Sequence, residues 1–86
     1  MPKVTICTTM LCPYCFMAKR LLNKKGVAFE EIDVGANPKL RDAMTDRSGG
    51  GSTVPQIFVG EAYVGGCDDL HELERSGRLD TLLNQA

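Results

Sequence analysis

Two cysteines three residues apart, in Cys12-Pro13-Tyr14-Cys15, stand where a short β-branched segment gives way to a helical pattern. At a helix start the first N–H groups have no intrahelical acceptor and carry a partial positive charge. A sulfur at Cys12 can accept those hydrogen bonds, and accepts them best as a thiolate. Its pKa is therefore expected to fall from about 8.5 into the range of roughly 3.5–7.5. Thiolate is the attacking species in disulfide exchange. Cys15 lies about one helical turn further on, within reach of Cys12, and is expected to be more buried and less ionised. That suits a thiol that waits to resolve a mixed disulfide. The pair could alternatively be half of a zinc site, or two buried thiols at a helix start. A structural zinc usually takes a second Cys or His pair at comparable spacing. The remaining candidates, Cys7, Cys67 and His71, are scattered singly. Redox chemistry is the better reading, with Cys12 as nucleophile, Cys15 as resolving thiol and no metal expected.

The elements that must position this pair can be read on either side of it. Lys3 to Thr8 is a strand pattern with Val4 and Ile6 on one face. Pro13 suits the first turn of a helix, where its missing N–H is no loss. Phe16, Met17, Ala18, Leu21 and Leu22 then recur at helical spacing, and Gly26 is a natural stop. Val27 to Val34 reads as a second strand, with Val27, Phe29 and Ile32 toward the core. Two strands joined by such a helix make a parallel βαβ unit with a right-handed crossover. Asn37-Pro38 opens a second helix carrying Leu40, Ala43, Met44 and Arg47, and Ser48-Gly49-Gly50-Gly51-Ser52 reads as a flexible loop. Gln56–Val59 and Ala62–Val64 flank Gly60-Glu61 as an antiparallel hairpin. Asp68-Asp69 open a last helix that Gly77 caps or interrupts before Leu79, Leu82 and Leu83. The predicted class is α/β, one mixed sheet covered by helices in the order β-α-β-α-β-β-α.

Composition narrows the function further. The 86 residues form one expected domain, 1–86, with 43% hydrophobic and 24% charged residues and a net charge of −1. Acidic and basic residues are mixed along the chain, which gives no electrostatic case for nucleic acid or an anionic membrane. No apolar run approaches the roughly 20 residues of a membrane-spanning helix. The start, Met1-Pro2-Lys3-Val4-Thr5-Ile6-Cys7, lacks the pattern of a secretory signal. A cytoplasmic location is expected, where four cysteines point to redox chemistry rather than a disulfide framework.

Three segments, at these separations, give the chain a resemblance to the glutaredoxins that runs almost end to end: Cys12-Pro13-Tyr14-Cys15, Thr53-Val54-Pro55-Gln56-Ile57-Phe58 and Gly65-Gly66-Cys67-Asp68-Asp69-Leu70. It is closest to the bacterial dithiol members. The resemblance implies a thioredoxin fold with a four-stranded sheet and glutathione as reducing co-substrate. It implies contacts from Tyr14, Thr53, Val54, Pro55, Gly66, Cys67, Asp68 and Asp69, and a cis bond before Pro55. The Val54 backbone would pair with glutathione as with an extended peptide. The helix start near Asp68 would receive the γ-glutamyl carboxylate, with an Asp on its ammonium. Cys67 is read as a small side chain beside the groove, Cys7 as core packing and His71 as a solvated residue. Further implied partners are disulfide-containing or glutathionylated proteins, and glutathione reductase acting through oxidised glutathione. The chain is expected to be a monomer.

The sequence also departs from the family pattern. Thr9 stands where many members carry Lys, and Gly50 and Gly51 stand where many carry a basic residue. Both basic groups would help hold glutathione's glycyl carboxylate. Arg41 and Arg47 are the remaining candidates for that contact, and weaker glutathione binding is expected. Two alternatives belong to other classes. A donor reduced by thioredoxin reductase would need no γ-glutamyl site. An iron–sulfur carrier, sharing a cluster through Cys12 and glutathione, usually has a single active-site cysteine and a residue other than Pro at position 13.

Overall fold

A computed structural model describes residues 2–85. Strand β1 (Val4–Thr8) runs from end to end through the interior, with all five residues buried. It pairs in parallel with β2 (Phe29–Asp33) and antiparallel with β3 (Gln56–Val59), which continues antiparallel into β4 (Ala62–Gly65). The sheet order is β2-β1-β3-β4. Helix α1 (Pro13–Lys24) makes the crossover between β1 and β2, and α2 (Pro38–Arg47) connects β2 to β3. Two further helices, α3 (Cys67–Arg75) and α4 (Arg78–Leu83), close the chain. The four-stranded mixed sheet flanked by helices is the predicted class.

Strand alternation assigns the helices to their layers. Val4 and Ile6 of β1, with Ile57 and Val59 of β3, pack on one face against Ala18, Leu22, Leu70, Leu79 and Leu83. The intervening residues Cys7 and Phe58 point to the other face, where they meet Val34 and Met44. Thus α1, α3 and α4 cover one side and α2 the other. Cys7 is a core residue, as expected, and burial pushes its thiol pKa up.

Two features differ from the sequence reading. Val27 lies outside the β2 ladder because its N–H closes α1, bonding Leu22 O at 3.0 Å while Gly26 N–H bonds Asn23 O. This double closure ends a helix and leaves the following apolar residue packed on it. The glycine loop after α2 is tied down rather than free. Gly50 N–H reaches Thr45 O at 2.8 Å, and Ser48 Oγ both accepts from Gly51 N–H and donates to Thr45 O. Gly77, with φ +78, interrupts the last helical run as expected, dividing it into α3 and α4.

Candidate active site

The chain leaves β1 at Thr8, crosses Thr9–Leu11 and enters α1 with Cys12 as its N-cap. Cys12 has extended backbone angles, and its sulfur accepts the Cys15 N–H at 3.2 Å. The free N–H that the sequence places at this position does point at the nucleophile. Cys12 is half-buried, whereas Cys15 is buried with 2% of its surface exposed. All four cysteines are free thiols. Burial, and then the hydrogen bond and charge of Cys12, push the Cys15 thiol up to about 12, partly opposed by a backbone hydrogen bond from Thr9 and the charge of Lys19. Lys19 itself is anchored one helical turn beyond Cys15. Its ammonium meets Glu31 at 3.0 Å, and Thr8 donates to the same carboxylate at 2.7 Å.

The second segment reaches the site from β3. The bond between Val54 and Pro55 is cis, as the resemblance implied, and the Cys12 thiol faces Val54 O at 4.0 Å. Beside it opens a groove of about 520 Å³, lined by Tyr14, Thr53, Val54, Pro55, Gly66, Cys67, Asp68 and Asp69. These are the eight residues expected around the ligand, drawn from three separate stretches of chain. Three further lining residues, Gly51, Gln56 and Tyr63, were not anticipated. Gln56 is buried, donates to Thr53 O at 2.9 Å and accepts from the Tyr63 hydroxyl. A signal existed, because a polar residue heading an otherwise apolar strand must find buried partners. Gly51 is there because a Cβ would come within 2.7 Å of Ser48 Oγ and 2.9 Å of Gln56 Nε2.

The third segment is built around Gly65 and Asp69. Gly65 has φ +116, and a Cβ on it would meet Asp69 Oδ2 at 2.3 Å. That close approach lets the Asp69 carboxylate accept the Gly66 N–H at 3.0 Å at the start of α3. The two aspartates are thereby divided: Asp69 caps the helix, and the exposed Asp68 has no ion-pair partner among the described residues. Cys67 is buried in the groove wall, and burial together with the charges of Asp68 and Cys12 raises its thiol pKa. His71 is not simply solvated. Its Nδ1 lies 2.9 Å from Cys67 O and 3.4 Å from Cys67 Sγ. A carbonyl only accepts, so Nδ1 carries the hydrogen and cannot take a proton from the thiol.

Neither arginine proposed for the glycyl carboxylate lines the groove. Arg47 lies 4.1 Å from the Phe58 ring centre and donates to Gly60 O, so stacking on the sheet holds it away. Arg41 donates to Ser52 O at 2.8 Å and faces a separate cavity beside Thr9 and Met10.

The glutaredoxin family model matches residues 4–64. A glutaredoxin of Pseudomonas aeruginosa is 57% identical over 84 residues, covering 98% of this chain and 99% of that protein. The solution structure of a Brucella melitensis glutaredoxin superposes with a TM-score of 0.84 at 55% identity, covering 96% of this chain and 89% of that one. A buckwheat glutaredoxin–glutathione complex superposes at 0.86 with 27% identity, covering 95% of this chain and 76% of that one.

Proposed function

The chain belongs to the glutaredoxin family of thiol–disulfide oxidoreductases, and on that premise we propose that it uses glutathione to reduce protein disulfides and protein–glutathione mixed disulfides. The observation that carries the reading is the convergence of three chain segments on one groove beside Cys12, in a fold shared with a glutathione-bound relative. A volume of about 520 Å³ is within the range of roughly 300–1,000 Å³ common for small-molecule sites. Glutathione would lie extended along the Val54 backbone, its α-carboxylate at the start of α3 and its ammonium toward Asp68. We assign this activity to a cytoplasmic monomer.

In the monothiol route Cys12 thiolate attacks the glutathionyl sulfur of a mixed disulfide, and the protein leaves as its thiolate. A second glutathione thiolate then attacks that same sulfur, releasing oxidised glutathione and restoring Cys12. Glutathione reductase returns the oxidised dimer to glutathione. In the dithiol route Cys12 attacks a protein disulfide, and Cys15 displaces the bound protein to leave a Cys12–Cys15 disulfide. The order of events has a physical cause. Two of the influences that hold Cys15 protonated are the hydrogen bond and charge of Cys12. Both disappear once Cys12 is locked in a mixed disulfide, so the resolving thiol ionises more readily only after the first step.

The test is turnover of a glutathionylated substrate with glutathione, glutathione reductase and NADPH, set beside thioredoxin reductase in their place. Only the first mixture should support turnover. Cys12→Ser should abolish all activity. Cys15→Ser should spare deglutathionylation and abolish reduction of protein disulfides. Reduction by thioredoxin reductase alone, or loss of deglutathionylation in Cys15→Ser, would overturn the reading.

A further inference from the structure

Seven large apolar side chains are exposed among the described residues, and five of them fall between positions 10 and 17, around Cys12. Tyr14 belongs to the glutathione groove. Met10, Leu11 and Phe16 instead line a separate, smaller cavity of about 240 Å³ that shares no residue with that groove. Leu11 adds an independent observation. Its φ of +57 makes it the one non-glycine residue with positive φ among the described residues, and its side chain is 87% exposed. That backbone region crowds a β-carbon against the following carbonyl, and Gly or Asn would sit there more easily. Neither the local backbone nor the core accounts for a leucine here. Met10, next to it, is 80% exposed.

We propose that Met10, Leu11 and Phe16 form a docking surface for the polypeptide that carries the target disulfide, taking an apolar side chain next to the attacked cysteine. The inference rests on the disulfide-reductase reading above. In the dithiol route the Cys12 sulfur bonds to one substrate sulfur while the other leaves as thiolate, so the polypeptide is covalently held against the surface around Cys12. The groove occupies one flank of that sulfur. The Met10–Phe16 flank directly adjoins Cys12 in the chain and is the apolar one. Of the charged groups on this wall Lys19 and Glu31 pair with each other, and Asp33, which accepts the Gly35 N–H, sits apart from Met10, Leu11 and Phe16 in the chain. The three exposed apolar side chains next to Cys12 match an apolar side chain on the partner, and the remaining carboxylate disfavours an acidic one.

Two short peptides, each closed by one disulfide and differing only in leucine or glycine beside the cysteines, test this together with bis(2-hydroxyethyl) disulfide. Turnover is driven by glutathione, glutathione reductase and NADPH. The wild type should favour the leucine peptide by about tenfold in kcat/KM, the effect of partly burying one leucine. A Met10→Ser/Leu11→Asn variant should lose that preference. It should keep its turnover of the small disulfide and its Tm, since Asn tolerates the left-handed backbone. Met10→Ser alone should lose part of the preference. Equal peptide rates in the wild type, or an undiminished preference in the double variant, would sink the proposal. So would a wild-type dimer in sedimentation that the double variant dissolves, because the surface would then cover a second copy. Wild-type inactivity on all three disulfides would instead remove the reductase reading beneath it.

Discussion

Thr9 leaves the loop before the nucleophile without the positive charge that many glutaredoxins place there. Arg47 is stacked on Phe58 and Arg41 is bonded to Ser52 O, so neither lines the groove. Restoring the charge with Thr9→Lys is expected to lower KM for glutathione by about 1.5- to 5-fold, the scale of an exposed ion pair. An unchanged or higher KM in the coupled assay would show that the glycyl carboxylate does not depend on this position. At this scale the sequence was legible wherever chemistry follows from local spacing. Cys12, Cys15 and the paired aspartates could be read that way because an N-cap and a helix start are local events. Gln56, Tyr63 and Gly51 could not, because their partners come from other elements of the fold. The Gly65 requirement was equally hidden, since it arises from a carboxylate four residues along that folds back over it. Leu11 looked like ordinary loop sequence, and only its positive φ and exposure set it apart.

At the scale of elements, Glu31 joins three of them. It lies on β2, accepts from Thr8 at the end of β1 and pairs with Lys19 on α1. The Thr8 hydroxyl first, and then Lys19, hold the Glu31 carboxyl below its ordinary value of 4.5. A carboxylate held lower in the folded state contributes stability that is fully present above the unfolded value. That contribution is lost as the pH falls through the folded value. Urea unfolding between about pH 3 and pH 7 should show the wild type above Glu31→Gln near neutrality, with the gap closing in acid. A gap that persists unchanged to the lowest pH would assign the difference to packing. Pro13, Pro38 and Gly26 marked helix limits correctly because each acts through its own backbone. The strand limits at Val27 and the tied loop at Ser48–Gly51 were harder, because a helix's last carbonyls recruit residues beyond it.

For the whole molecule, one cation holds the catalytic helix to the chain's end. Lys25, just after α1, meets Glu74 of α3 at 2.7 Å and Asp80 of α4 at 2.8 Å, with its side chain only 14% exposed. Lys25→Ala leaves those two carboxylates facing each other and should lower Tm in calorimetry. Lys3→Ala is the control, since its pair with Glu30 is 68% and 50% exposed and should shift Tm little. Lys24 and Lys25 are indistinguishable in the sequence, and only the docking of α3 and α4 separates their roles. A consequence of the sheet order reaches beyond the single molecule. β2 is an edge strand, and an open edge is a template on which a neighbouring chain can add itself. Its residues Phe29-Glu30-Glu31-Ile32-Asp33 interleave apolar side chains with three carboxylates. Those carboxylates, with Lys3 and Lys19 paired to two of them, line the edge with charge that a neighbouring strand would have to bury in order to add itself there.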